Sequence, residues 1–310
     1  MRCDLHVHTI HSGMCTVPVL DRICRESYND PEEVYETLKR RGMELVTVTD
    51  HDAIDAVERL RRHPDFFLSE EVSCSTSSGT HLHMGVYGVE ERDHIQMQRR
   101  AADFPSLLAY LQERKLLFSV NHAFSGLTGS RTRADFEEFV RAFPAVETRN
   151  GQMLPAANRY AEEMALLAAK AVVGGSDAHT IESLGRTYTE VAGVRTAREF
   201  LEGLKRGQGV VRGESGDYWK LTRAVTNIGC SMMKEHPWTV VLSPLIAAIP
   251  VVTLVNLLME TWFAHTWGRR LERGTTKGQS VPALQPEPCG SRAAAGSVVR
   301  RIPAAVPISR

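Results

Sequence analysis

The chain has 310 residues, and its 37 basic and 37 acidic side chains leave a formal net charge of zero. This balance gives no electrostatic reason to expect non-specific binding to nucleic acids, and the length suits one large α/β domain or two smaller ones. Six scattered cysteines without a CxxC pair, and a polar N-terminus without a secretory pattern, predict reduced thiols in the cytoplasm.

Short β-type runs alternate with helical segments over the first two-thirds of the chain. The predicted strands cover residues 3–8, 45–49, 66–72, 81–87, 118–121, 145–148 and 171–174. The predicted helices cover residues 31–41, 53–61, 104–115, 133–142, 155–169 and 196–206. Asp30 and Pro31 supply an N-cap and a first-turn proline for the first helix, and Gly42 ends it. The alternation favours a parallel sheet or barrel with helical crossovers.

The opening strand carries a dense cluster of ligand-type side chains. Asp4, His6 and His8 alternate with two apolar residues, so a strand would present the carboxylate and both imidazoles on one face. Two imidazoles placed in this way can hold one metal ion, with Asp4 orienting one of them. An edge strand rich in histidine but without a ligand explains this stretch equally well when it is taken alone.

Further ligand-type side chains are predicted at the C-terminal ends of the later strands. They are Asp50-His51-Asp52, Glu70-Glu71, His81 and His83, Asn121-His122, Arg149-Asn150, and Asp177 with His179. In a (β/α) barrel these ends form the mouth of the active site. Each cluster has an ordinary alternative, such as a helix N-cap for Asp50 or Asp52 or a buried structural role for His122. Their coincidence on one rim favours a metal site.

Taken together, the motifs resemble the PHP superfamily, named for polymerases and histidinol phosphatases. The resemblance covers about residues 1–215 and rests on DLHVHT at 4–9, VTDHD at 48–52, EEVS at 70–73, HLHMG at 81–85, NHA at 121–123 and GSDAH at 175–179. It implies an α/β fold, a distorted (β/α)7 barrel of the TIM type. It also implies two to three divalent ions, commonly Mn, Fe or Zn, and hydrolysis of phosphoesters.

The resemblance further implies a set of eight metal ligands. These are His6, His8, His51, Glu71, His83, His122, Asp177 and His179. The two opening histidines and Asp177 would hold one ion, and Glu71 would bridge it to a second ion completed by His83 and His122. His51 and the last histidine of the set would hold a third.

The third ion lacks one expected ligand. The family usually supplies another Asp or His five or six residues after the second histidine of the opening motif, where this chain has Gly13 and Met14. The third site is therefore expected to be absent, weak or completed by a different residue.

The residue types also predict the chemistry of the site. Imidazole and carboxylate ligands suit Zn, Fe or Mn, and such ions lower the pKa of bound water to about 7, which supplies a hydroxide nucleophile. Asp177 and His179 are the expected catalytic side chains, and His179 would protonate the leaving group if it does not bind metal. Arg149 and Arg186 are expected to clamp the phosphate, with a solvated surface position as the alternative, and Arg131 is expected at the surface.

The last third of the chain differs in composition. Residues 216–236 are expected to form a connecting helical segment, and residues 238–259 follow without a charge. That length can cross the apolar core of a bilayer, so residues 237–268 are predicted to associate with a membrane. Pro244 and Pro250 interrupt helical hydrogen bonding, so a kinked, re-entrant or interfacial anchor is an alternative. A buried helix hairpin or a dimer interface is the soluble alternative.

The residues on both sides of this segment are also consistent with an association with a membrane. Trp238, Trp262 and Trp267 would lie at the membrane interfaces, and residues 269–310 have the composition of a disordered basic tail. Because the metal-binding domain is expected in the cytoplasm, the membrane contact is expected at the inner face. Removal of residues 236–310 is expected to leave a soluble, metal-loaded barrel.

The favoured function is metal-dependent hydrolysis of a small phosphomonoester or nucleotide-like substrate. A nuclease acting on phosphodiesters is the second hypothesis, although the neutral charge and the absence of a basic, aromatic-rich groove weigh against nucleic acid as a partner. A non-catalytic barrel that binds a phosphorylated ligand, or that scaffolds a membrane complex, is the third.

Overall fold

The computed structural model describes residues 1–276 of the chain as a mixed α/β fold. Its strands are β1 (Arg2–Cys3), β2 (Ser69–Ser75), β3 (His81–Tyr87), β4 (Leu117–Val120), β5 (Ala145–Asn150), β6 (Ala171–Gly175), β7 (Thr187–Glu190) and β8 (Val210–Gly213). Its helices are α1 (Pro31–Arg40), α2 (Val57–Leu60), α3 (Glu91–Gln98), α4 (Phe104–Glu113), α5 (Arg133–Ala142), α6 (Pro155–Leu167), α7 (Ala197–Lys205), α8 (Tyr218–Glu235) and α9 (Ile249–Thr276). Two 3₁₀ helices cover Leu20–Arg22 and Pro237–Ala248.

The regular strands form two sheets. β1, β7 and β8 make an antiparallel sheet, and a larger sheet has the order β2-β3-β4-β5-β6. In the larger sheet β4, β5 and β6 are parallel, as predicted, but β3 runs antiparallel to both of its neighbours. The prediction of a helical crossover was wrong between β2 and β3, because residues 76–80 alone connect them and a parallel connection needs a dozen residues or more.

Two of the predicted strands are extended segments that join the two sheets through single bridges. The segment at 4–8 pairs with the end of β6 through the parallel bridge Val7–Ala178. The segment at 45–51 pairs with β2 and the residues before it through the bridges Val46–Phe66 and His51–Glu71. The two segments contact each other, since the Thr49 amide donates to the Val7 carbonyl at 2.8 Å.

A glycine permits the close approach of the opening segment to β6. A Cβ atom at Gly175 would overlap the backbone nitrogen and the Cβ of His6. Glycine at this position therefore lets the two backbones lie side by side and brings the opening histidines to the end of β6.

Most predicted helices are present with boundaries close to those expected. Asp30 caps α1 by accepting from the Glu32 and Glu33 amides. The helix expected at 53–61 contracts to the single turn of α2, which has no side-chain cap, so the predicted capping role of Asp50 or Asp52 was wrong. α3 was not predicted, because its sequence is largely polar and shows little apolar periodicity.

The main core lies between the larger sheet and the helices that cover it. Phe124, Phe136, Phe139 and Phe143 are among its largest fully buried side chains. This core packs against the helix-covered face of the larger sheet. The polar side chains of the strands therefore meet at the edge of the sheet that lies away from this core.

The apolar C-terminal segment divides into two parts with different surroundings. The helical stretch Pro237–Glu272 contains an 18-residue window with a mean hydropathy of 2.3 and is long and apolar enough to cross a membrane, by length and composition only. Only 6% of its most apolar window is buried, which excludes a helix hidden in the core of this chain. Val251 and Met259, for example, are each 64% exposed.

The second half of α9 belongs to the main core. Ala264 is fully buried there, and the Trp267 ring lies 5.4 Å from that of Phe136. The expected interfacial position of Trp267 was therefore wrong, because it packs against protein. α9 also continues to Thr276, past the boundary expected at residue 268, and the rest of the predicted tail, residues 277–310, lies outside the described residues.

We expect Gly268→Ala to destabilise the protein, because a Cβ atom there would overlap the Tyr160 ring. Overpacking of this kind costs about 1–3 kcal/mol, or several degrees in the melting temperature measured by thermal unfolding in detergent. Gly229→Ala, in α8, is the matched control, since nothing lies within 4 Å of its added methyl group. A melting temperature for Gly268→Ala at or above that of the control would contradict this packing.

Candidate metal centre

All eight predicted ligands gather at one site. Four overlapping groups have ligand atoms within 4.8 Å of one another: His8, His51 and His179; His6, His8 and Asp177; His6, Glu71 and His122; and His51, Glu71 and His83. The groups share members, so the structure joins them into one continuous cluster.

The backbone brings these side chains to a common edge. Because β3 is antiparallel to β2, its first residues lie beside the end of β2, with His83 opposite Ser73. The prediction that every ligand follows the C-terminal end of a strand was therefore wrong for His83, which lies near the start of β3. His122 and Asp177 have positive φ angles of 31° and 51°, a left-handed conformation that costs free energy and is concentrated at functional sites.

Glu71 lies at the centre of the cluster and is fully buried. Its Oε2 lies 3.0 to 3.4 Å from ring nitrogens of His6, His8 and His51, and its Oε1 lies 3.4 and 3.7 Å from those of His122 and His83. The Asn121 amide also donates to Oε1 at 2.8 Å. The two oxygens of one carboxylate thus face two different sets of imidazoles, as a bridging ligand requires.

The spacing of the donor atoms fits metal ions. Two atoms that each lie about 2.1 Å from one ion are about 3.4 Å apart at a tetrahedral angle. His8 Nε2 lies 3.3 Å from Asp177 and 3.4 Å from Glu71, yet it makes no hydrogen bond. His51 Nδ1 and His122 Nδ1 are also buried without a hydrogen-bond partner. Buried polar atoms are seldom left in this state, so the residues present fit a bound cation.

The electrostatics favour the metal-binding protonation states at Glu71, Asp177, His8 and His83. Burial alone would raise the pKa values of Glu71 and Asp177, but the positive imidazole of His6 and its neighbours hold both pKa values well below their usual range. Burial lowers the pKa of His8 to about 3, helped by the charge of His179, and burial also lowers the pKa of His83 to about 3. Ionised carboxylates and neutral imidazoles are the ligating forms. Burial alone would lower the pKa values of His6, His51 and His179, but the neighbouring carboxylates raise all three, so a bound cation would displace protons from these imidazoles.

Hydrogen bonds behind the cluster orient the imidazoles. His6 Nδ1 donates to Glu147 at 2.7 Å. Ser12 donates to Asp50 at 2.7 Å, so its oxygen accepts from His8 Nδ1 at 2.9 Å and leaves His8 Nε2 unprotonated on the cluster side. The sequence did not identify Glu147 or Ser12, although a glutamate inside a buried strand is itself an unusual signal.

Asp4 does not orient an imidazole, so that prediction was wrong. Its carboxylate accepts from the Ser176 amide at 2.8 Å and the Gly185 amide at 2.7 Å, and its contact with His6 is to the backbone nitrogen. Asp4 instead links the opening segment to the loop after β6, whereas Asn150 supports Asp177 by donating to its Oδ2 at 2.9 Å.

Glu26 lies beside the two histidines of the incomplete third site. Its Oε2 is 3.5 Å from His51 Nε2, and its Oε1 is 3.5 Å from His179 Nε2. Burial alone would raise the pKa of Glu26, but the two imidazoles hold it well below its usual range. The sequence did not indicate this residue, because Glu26 lies in a loop far from the spacing at which the ligand was expected.

The three arginines make their hydrogen bonds away from these ligand-type side chains. Arg149 donates to the Gly213 carbonyl at 3.2 Å, and Arg186 donates to the Glu182 carbonyl at 2.7 Å. Arg131 was expected at the surface, but it is only 4% exposed, because it packs inward and donates to the His81 carbonyl. Roles for Arg149 and Arg186 as phosphate clamps stay predictions.

Comparisons with known proteins agree with the fold. The PHP-associated family model matches residues 155–208. PsfC from Pseudomonas syringae PB-5123 has a TM-score of 0.52 at 17% identity, covering 75% of this chain and 98% of PsfC. A likeness at this identity is one of fold. No curated protein matches the sequence.

Two further solved structures are less similar. A candidate metal-dependent phosphoesterase from Bifidobacterium adolescentis has a TM-score of 0.43 at 12% identity, covering 65% of this chain and 94% of its own. The lesion-specific endonuclease PfuEndoQ from Pyrococcus furiosus has a TM-score of 0.46 at 17% identity, covering 68% of this chain and 58% of its own.

We expect Glu71→Gln to lower the metal content of the purified protein, because a neutral amide replaces the charge shared by the surrounding imidazoles. Glu70→Gln is the matched control, since Glu70 is equally buried but contacts His94 and Gln98 instead. Metal content measured by elemental analysis should fall only in the first variant. Equal loss in both variants, or loss only in the control, would contradict the central position of Glu71.

Proposed function

We propose that this chain is a member of the PHP superfamily and a metal-dependent enzyme that hydrolyses phosphoesters at the cluster around Glu71. The observation that carries the proposal is that His8 Nε2 and His51 Nδ1 are buried without hydrogen-bond partners and each lie 3.4 Å from Glu71 Oε2, a spacing that fits ligands of shared cations. Bound divalent ions supply an acidified water and neutralise negative charge on the phosphoryl group. Mn, Fe and Zn suit this mixture of imidazole and carboxylate donors.

The side chains have separate tasks in the proposed mechanism. His6, His8 and Asp177 would hold one ion, His83 and His122 would hold a second, and Glu71 would contribute a ligand to both. Asn121 fixes one oxygen of the bridge, and Asn150 fixes one oxygen of Asp177, so each carboxylate keeps its remaining electron pairs directed at the cluster. Glu147 accepts a hydrogen bond from His6 Nδ1, so the other ring nitrogen of His6 faces Glu71 and is available as a ligand.

We interpret the fold around this site as the distorted (β/α)7 barrel. The bridges Val7–Ala178, Val46–Phe66 and His51–Glu71 support this interpretation, because they connect the opening segment and the segment at 45–51 to β6 on one side and β2 on the other. Seven strand segments would then surround the core, with the metal centre at one rim. Residues 1–215 would form this domain.

Glu26 is proposed as the missing ligand of the third ion, together with His51 and His179. Its two oxygens lie at equal distances from the two histidines, and its position replaces the ligand absent at Gly13 and Met14. If the third ion is absent, the contact with Glu26 instead supports a protonated His179 that acts as the general acid.

The apolar segment is proposed to enter the membrane from one side without crossing it. Glu235, just before the apolar segment, pairs with Arg25 at 2.9 Å, and Glu260, just after its most exposed part, accepts from the Gly126 amide at 3.2 Å. Both ends of the segment thus contact the same folded body. A segment that crossed the bilayer would separate its ends by about 30 Å, so these contacts support one that dips into the inner face from the cytoplasm.

We expect the full-length, Mn-loaded protein in detergent to release phosphate from small phosphomonoesters, and a chelator to abolish the release. The assay would include bis-esters and oligonucleotides beside monoesters, so that the favoured substrate class is read directly. Asp177→Asn should reduce kcat by at least about a hundredfold, because it removes a ligand charge. Activity that is unchanged in this variant or with chelator would contradict the proposal, and fewer than two bound ions per chain would favour a binding role.

We expect Glu26→Gln to remove one bound ion per chain while leaving the ions around Glu71 in place, because Glu26 contacts only His51 and His179 within the cluster. Metal stoichiometry by elemental analysis, with calorimetric titration of the apoprotein, measures this separately from activity. Glu32→Gln is a suitable control, since Glu32 pairs with Arg62 and His63 away from the site. Unchanged stoichiometry in Glu26→Gln would leave His179 as the general acid.

A further inference from the structure

A cavity of about 180 Å³ opens beside the metal centre, between the cluster and the C-terminal helices. Asp177 and His179 form part of its wall, and Leu221, Val225 and Ile228 of α8 and Leu257 of α9 face them. The metal centre therefore borders an apolar space built by the helices that follow the barrel. On the basis of the proposed function, we propose that this cavity receives the apolar chain of a membrane lipid phosphoester whose phosphate reaches the metal ions.

The polar groups around the cavity leave few partners for a polar substrate. The Asp217 carboxylate caps α8 by accepting from the Trp219 and Lys220 amides. The Glu260 carboxylate is held by the Gly126 amide. A nucleoside or sugar placed against this wall would lose most of its hydrogen bonds to water, because Asn256 and Gln152 are the few side chains of the wall that could replace them. A hydrocarbon chain loses nothing of this kind and gains from burial.

One polar atom at the cavity is free to recognise the head of such a molecule. Gln152 borders the cavity, and its side-chain oxygen is buried without a hydrogen-bond partner. This oxygen accepts but does not donate, so it suits a hydroxyl group near the phosphate. The ligand that fits has a phosphate at the metal ions, a donor near Gln152 and an aliphatic body along α8.

The size of the cavity and its surroundings favour a lipid in a bilayer over a free amphiphile. A volume of about 180 Å³ is below the roughly 300–1,000 Å³ of ordinary ligand pockets, so only the part of a chain next to the phosphate is enclosed. The turns of α9 beside Leu257 expose Val255 and Leu258, at 50% and 58%. A membrane segment of this kind would place the cavity at the level where lipid phosphates meet their chains.

The test compares ethyl, hexyl and decyl phosphate as substrates of the full-length, Mn-loaded protein. We expect kcat/KM to rise at least about tenfold from ethyl to hexyl phosphate, because buried methylenes contribute favourably. Val225→Phe, which fills the cavity, should reduce the ratio of decyl to ethyl hydrolysis, whereas Cys230→Phe, at an exposed position of the same helix, should leave this ratio unchanged. Equal kcat/KM for all three esters would overturn the inference and leave the proposed function intact.

Two further experiments distinguish failure of the proposed cavity ligand from failure of the proposed activity, and a lipid in a membrane from a free phosphoester. If no ester is hydrolysed by metal-loaded protein, calorimetry with ethyl and decyl phosphonate tests the cavity directly, and equal affinities would overturn the inference together with the proposed function. Vesicles that contain lysophosphatidic acid, which has a free hydroxyl group near its phosphate, test the source of the ligand. Hydrolysis of decyl phosphate in solution, but not of the vesicle lipid, would overturn the assignment to a membrane lipid.

Discussion

The structure depends on one buried carboxylate that has imidazoles as its counter-charges. Glu71 is fully buried, and five histidines approach its two oxygens. Among the side chains of residues 1–272, no lysine or arginine pairs with it, so the cluster satisfies this charge by itself or with cations that bind there. A buried carboxylate without such partners is strongly unfavourable. The convergence of the strands, the left-handed residues at His122 and Asp177, and the glycine beside His6 all serve to bring those partners together.

The sequence predicted which side chains lie together better than it predicted the shape of the site. The residues that meet at Glu71 belong to short motifs, such as the alternation of His6 and His8, whose spacing holds in any extended strand. Glu26 and Glu147 reach the same histidines from distant parts of the chain, and no local spacing encodes such contacts. The reversed direction of β3 was missed for the same reason, since strand pairing is decided by tertiary packing rather than by the pattern of one strand.

The C-terminal segment shows that hydropathy cannot distinguish an apolar helix packed against protein from one that is exposed. Its two halves are both rich in apolar side chains, but Met259 is exposed whereas Ala264 is buried in the main core. An apolar side chain has the same transfer preference for a protein interior and for lipid, so sequence indicates only that it leaves water. Close packing distinguishes the halves, because Gly268 leaves room for the Tyr160 ring and the exposed half has no such partner in this part of the chain.

The hydrogen bond between Glu260 and the Gly126 amide connects two parts of the molecule that sequence treats as separate. Gly126 lies in the same loop as His122, between β4 and α5, so α9 contacts a segment that carries a ligand-type histidine. The apolar segment is thus part of the architecture of the site. A soluble fragment made by ending the chain before the apolar segment would lack one wall of the cavity. It would also lack the contact of α9 with this loop. A fragment of that kind would report the chemistry of a damaged centre, and its silence would not show that the whole protein is inactive.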